Sequence, residues 1–423
     1  MAYDDSAYRR PDVESTDPVG FSARDDSPRA GLQAGDHRES PTTTRRVPPA
    51  RLHDVFDDPG HGEPGRDRLA VHWLWEFMLL AATAAVALLF YRASPESFRG
   101  DGLDVLLVAA AVLGLLALGA GLTLRAGVPN LALGPVAVAA ALHFAENGDR
   151  GTLPAVLPAA AVAAGLGLVL ALIVVGFHVP AWAASLAGAL AVVVYIQQRS
   201  APVTVQGGYD PSRHALYLFG GFAALALLGG LFGAIRPVRR SVGRFRPVTD
   251  PADRRGGFAA ALAGVAIVAS TVFAMLAGVL LAAGSADPVS PTTGFEWTGL
   301  ALGAALLGGT SAFGRRGGIF GSLFTVVLIT LFVAYSDERG WNVSLFSVAA
   351  VAMRVGVIAT RLVESYGRPR STGEADAPTD ADTPGTFGWT TDRPESWSST
   401  LPVQPTESRS EPWGADRWGT SDR

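Results

Sequence analysis

Between residues 69 and 365 the chain is apolar almost without interruption, and no other feature limits its possible folds so strongly. A helix that crosses a bilayer needs about 20 apolar residues, and this stretch offers roughly ten such windows. Lipid supplies no hydrogen-bond partner to bare backbone, so a crossing segment has to satisfy its own amides and carbonyls. The stretch therefore predicts an all-α polytopic integral membrane protein with about ten transmembrane helices and glycine-rich breaks. The flanks differ in kind. Residues 1–68 and 366–423 are polar, with Asp, Arg, Pro and Ser prominent. Such segments cannot bury enough apolar surface to offset the entropy of ordering, so both read as disordered tails around a membrane domain at 69–365.

In chain order, helices are predicted over about 69–91, 103–124, 131–145, 153–176, 180–197, 214–235 and 258–283, then two within 297–336 and a last one over about 343–362. His72, Trp73 and Trp75 open the first helix, where amphipathic rings suit a membrane–water boundary, and Glu76 is expected at that boundary too. Two places are broken. Arg125-Ala126-Gly127-Val128-Pro129-Asn130 separates the second and third helices, and Leu307 to Gly318 form a glycine-rich hinge carrying Arg315 and Arg316. Broken helices are tolerated in lipid only inside protein or beside a water-filled cavity. They recur at the substrate sites of transporters. Gly308, Gly309, Thr310, Ser311, Phe313 and Gly314, with Arg125 and Asn130 at the first break, are thus the candidates for a translocation path. The bland alternatives stand beside this. Glycines also serve ordinary close helix packing, and an Arg near a helix end can snorkel to the interface. His143 reads as structural, with a proton relay as its functional counterpart.

Orientation follows from the arginines. The loop at 236–257 holds Arg236, Arg239, Arg240, Arg244, Arg246, Arg254 and Arg255, which places it in the cytoplasm. Ten crossings then put both termini there; eight or nine full spans with one or two re-entrant segments fit nearly as well. The acidic or neutral loops at 146–149, 203–210, 284–291 and 336–338 fall outside, with Asp287 and Glu296 on that outer face. The basic loop has two readings: a docking surface for a partner, or a topology determinant that attracts anionic lipid.

Several chemistries are excluded. The chain has no Cys, hence no disulfide, thiolate metal site or Cys nucleophile. It has no Lys, and the phosphate-cradling P-loop requires one, so it carries no ATP site of that kind. H-E-x-x-H, G-x-S-x-G and C-x-x-C are absent. No catalytic residue, metal or cofactor is expected. The net charge of −4 lies almost wholly in tails and short loops, and no nucleic-acid partner is expected.

The hinge also carries a resemblance. Gly308-Gly309-Thr310-Ser311, Phe313-Gly314, Arg316-Gly317 and Gly321 resemble the signature of ribose/xylose-type sugar permeases of ABC importers, and more distantly of branched-chain amino-acid permeases. Upstream, Ala277-Gly278-Val279-Leu280-Leu281, Asp287-Pro288 and Gly294-Phe295-Glu296 stand in the family's order and spacing. Val179-Pro180-Ala181-Trp182 with Ser185-Leu186, and Gly121 to Gly127 followed by Ala132-Leu133, are similar to two further segments. The sequence departs from the family at Thr123, Arg125 and Arg315, and in the basic loop, which is shorter than usual and contains Pro237, Pro247 and Pro251. The resemblance implies a permease subunit in a bacterial plasma membrane that moves a sugar-like solute. Its implied partners are a cytoplasmic ABC ATPase subunit, an extracytoplasmic solute-binding protein and a second permease in a homodimer or heterodimer. The ATPase would dock at Arg239, Arg240, Arg244, Arg246, Arg254 and Arg255. A permease-like scaffold that has lost ATPase coupling, and a secondary transporter, are the alternatives.

Overall fold

The computed structural model describes residues 69–234, 257–311 and 319–367. The expectations for both tails, for the basic loop with its six docking arginines, and for Phe313 and Gly314 lie outside the described residues.

Ten α-helices occur among the described residues: α1 (Leu69–Ala93), α2 (Gly100–Arg125), α3 (Leu133–Asn147), α4 (Thr152–Ala171), α5 (Ala181–Ile196), α6 (Ala215–Ala234), α7 (Gly257–Ala283), α8 (Phe295–Leu307), α9 (Gly321–Glu338) and α10 (Leu345–Gly367). No strand is formed among them; Val203 and Val289 make one isolated antiparallel bridge. Among the described residues, seven of these helices are long and apolar enough to cross a membrane. The expectation of about ten crossings thus resolves into seven such helices and three shorter ones, α3, α5 and α8. Helix α10 runs five residues past its expected end at 362. Nothing between Leu362 and Gly367 breaks a helix, and the first proline beyond it is Pro369.

Contacts define the two ends of the bundle. At one end the 197–211 and 284–289 segments meet the end of α3: Gln206 N donates to Ala145 O at 2.9 Å, and Val203 and Val289 exchange backbone bonds at 2.9 and 2.8 Å. Arg199 Nε and Nη2 donate there to Glu146 Oε1 and Oε2, at 2.6 and 2.8 Å. The hydrogen-bonded guanidinium holds the Glu146 carboxyl below its ordinary range. At the other end Trp75 Nε1 donates to Leu307 O at 2.9 Å, and Gly121 lies against Thr310.

Helix α2 ends with a Schellman closure. Val128 N bonds to Thr123 O at 2.9 Å, Gly127 N to Leu124 O at 3.0 Å, and Gly127 has φ +66°. Helix α8 closes in the same way: Thr310 N bonds to Ala305 O at 3.0 Å, Gly309 N to Leu306 O at 2.9 Å, and Gly309 has φ +91°. Both breaks are therefore finished helix ends, with their last carbonyls satisfied.

The packing follows an exchange rule. Helices α3 and α4 pack on α7 as α8 and α9 pack on α2; α3 packs on α5 as α8 packs on α10; and α2 packs on α7. Helix α2 ends away from the 197–211 segment, whereas α7 ends beside it, so the two run antiparallel. By these contacts residues 100–196 and 257–367 pair as two inverted halves. Small residues let the helices approach: a Cβ at Gly278 would overlap Ala137 O, one at Gly303 would press on Ala352 and Met353, and one at Gly167 on Thr271 and Val268.

Candidate functional site

The interrupted centre of the bundle is the place where polar groups meet. Helix α3 has 15 residues and α8 has 13, about 22 and 20 Å of rise, less than the ~30 Å hydrocarbon core. Both start inside the bundle, and their N-termini meet. Gly134, in the first turn of α3, packs directly against Gly294, the residue before α8, whose φ is +76°. A Cβ at either position would overlap the other's backbone.

The backbone around the α2–α3 break is satisfied by hydroxyls from α5 and α8 and by Asn130, itself held by a hydroxyl of α7. Ser185 Oγ of α5 donates to Pro129 O at 3.1 Å. Thr298 Oγ1 of α8 accepts from Gly134 N at 2.9 Å and donates to Leu131 O at 3.2 Å. Asn130 accepts from Ala132 N at 2.9 Å and donates to Ser270 Oγ of α7 at 2.8 Å. Such internal satisfaction is what bare backbone in lipid requires. Asn130 is 1% exposed, and its side chain is committed to this bracing. Ser270 and Thr298 were not singled out in sequence. Their signal is a hydroxyl inside an apolar helix, weak because such hydroxyls commonly bond back to their own helix, as Ser270 also does to Ile267 O at 2.7 Å.

The hinge is clamped by adjacent residues of α1. Trp75 holds Leu307 O on one bank, while Glu76 Oε1 on the other accepts from Phe320 N at 2.9 Å and Gly321 N at 3.3 Å. Glu76 is 6% exposed, so its carboxylate is buried against the hinge. It caps α9, whose own N-cap residue makes no side-chain cap bond. The partial positive charge of a helix N-terminus favours a carboxylate there. Gly308 and Gly321 lie so close that a Cβ at Gly321 would overlap Gly308 O. Thr310 and Ser311 are buried beside them.

Near the breaks, Arg125 and Glu296 are under-satisfied. Arg125 is half-buried at the end of α2, and its Nε is enclosed with no hydrogen-bond partner among the described residues. Glu296 is buried at 7% exposure, not on an outer face, because the segment after α7 carries it into the first turn of α8. Its Oε1 accepts from Thr292 Oγ1 at 2.8 Å, and its Oε2 is enclosed with no such partner. No group of three or more His, Asp or Glu that could hold a metal occurs among the described residues.

Fold and site together define a class: an all-α membrane protein whose inverted halves each carry an interrupted helix at the core. Comparison with protein-family models, characterised proteins and solved structures finds no match for this chain.

Proposed function

We propose that this chain is the membrane-spanning permease subunit of an ABC importer for a sugar-like solute, with ATP hydrolysis supplied by a partner subunit. The observation that carries the reading is the head-to-head meeting of α3 and α8 at Gly134 and Gly294. Discontinuous helices with converging N-termini are the arrangement transporters use at substrate sites near the bilayer midplane. Two partly positive helix ends suit an oxygen-rich solute. The hinge signature supplies the importer assignment by resemblance. In this scheme the end holding Arg125 and the hinge faces the cytoplasm, with both termini and the arginine-rich loop. The end holding Glu146 and Arg199 faces outward to a solute-binding protein.

The test is affinity purification of the full chain from native membranes, followed by pentose uptake in proteoliposomes. A co-purifying nucleotide-binding subunit and ATP-dependent uptake are expected. Absence of both would overturn the importer reading and leave a permease-like scaffold. Glu296 favours one other reading, because a buried carboxylate with a free oxygen is what ion-coupled transport needs. That reading requires gradient-driven uptake in ATPase-free vesicles, abolished in Glu296→Gln.

Arg125 provides a sharper check. Arg125→Met keeps the bulk and removes the charge. Loss of one charged hydrogen bond to a passing solute, about 1.5–3 kcal/mol, lowers uptake about tenfold or more. Thermal stability should hold or rise, since the enclosed Nε of Arg125 has no hydrogen-bond partner to lose. Unchanged uptake would remove Arg125 from the path.

A further inference from the structure

A cavity lies away from the breaks. It encloses about 400 Å³ between α3, α4, α5 and α7, within the roughly 300–1,000 Å³ range of small-molecule sites. Its walls are apolar, among them Val136, Ala159, Leu166 and Met275. Its mouth opens sideways between α4 and α5, where Val162 is 73% exposed and Pro158 and Ala191 are exposed too. Helix α4 is among the helices long and apolar enough to cross a membrane, and a mouth on the exposed side of a crossing helix would open to lipid.

The polar groups are confined to one end. His143 lines the cavity one turn from the end of α3, and its Nε2 is enclosed with no hydrogen-bond partner among the described residues. Tyr195 lines it from the last turn of α5, and its hydroxyl accepts from Arg199 Nη2 at 2.8 Å. Arg199 in turn holds Glu146. The site thus has an apolar body reached from the bilayer and a polar rim at the depth where head groups meet water. A sugar would leave its hydroxyls unpaired against these walls.

We propose that this cavity binds a chain of a bilayer lipid, with the lipid's polar head at the rim beside Tyr195 and Arg199. The site is separate from the translocation path and stands whether or not the importer reading does.

The test uses the full chain in nanodiscs of phosphatidylethanolamine and phosphatidylglycerol containing a diazirine-bearing stearic acid. After irradiation, label is expected on the peptides spanning Val136–His143 and Pro158–Leu166, several-fold above other lipid-facing helices. Val162→Trp, at an exposed position that folding does not depend on, should obstruct the mouth and reduce that label to the level of the other helices. Label spread evenly over all lipid-facing helices, or enrichment indifferent to Val162→Trp, would overturn the proposal. Pentose uptake is measured on the same variants; its loss or survival bears on the importer reading alone.

Discussion

Gly134→Ala should cripple the protein, although it adds a single methyl group. The Cβ would overlap Gly294 O and press on Thr298 N, both part of a neighbouring backbone. Neither can turn aside as a flexible side chain could, so the N-termini of α3 and α8 must separate. Overpacking of a tight core costs about 1–3 kcal/mol, and a backbone-on-backbone contact belongs at the upper end. Separation also strains the bonds from Thr298 to Gly134 N and Leu131 O, which exposes polar backbone to an apolar surround. A loss of that size lowers membrane abundance several-fold. Gly165→Ala is the matched control. Gly165 lies in α4 with nothing within 4 Å of a built Cβ, so the change should be neutral or stabilise by about 0.5–1 kcal/mol. Thermal denaturation of the two purified variants decides the matter. Equal melting temperatures would show that the half-helices do not meet at this point.

Glu76→Ala should be the second severe change, and for an electrostatic reason. It removes the acceptor for Phe320 N and Gly321 N at the head of α9. Buried donors left without a partner cost about 1–3 kcal/mol, and bonds to a charged acceptor lie at the stronger end. Glu76→Gln keeps an acceptor oxygen and loses only the charge that complements the helix end. Its cost should be nearer 1 kcal/mol. Hydrogen exchange at residues 319–324 is the informative readout, because the effect begins there. Protection should fall strongly in Glu76→Ala and slightly in Glu76→Gln. If exchange at those amides is unchanged in Glu76→Ala, the carboxylate does not cap α9.

The helices were readable because their signal is local. Ten apolar windows predict ten helices, and each appears within a few residues of its expected place. The breaks were readable too, since Gly127 and Gly309 punctuate apolar runs and both adopt positive φ. The roles of single polar residues were less accessible. Asn130 stood out as a polar residue at a break, but its partner Ser270 is 140 positions away, and nothing local marks the pair. Glu76 looked like a boundary residue because it follows a tryptophan cluster near a helix start. Its burial depends on α9 arriving 244 positions later. Glu296 looked like an outer-face acid because a polar loop precedes it. That loop turns inward before α8 begins.

The amino-acid sequence by itself determined that this is an all-α chain built of membrane-length apolar segments with two interruptions, because hydrophobic length and glycine punctuation act over tens of residues at most. Only the tertiary structure decided that the interruptions belong to inverted halves, that α3 and α8 start inside the bundle, and that Trp75 and Glu76 clamp the hinge. Those outcomes depend on backbone groups finding partners on distant helices. In an apolar surround the cost of leaving such groups unpaired, and not any local preference, selects the arrangement.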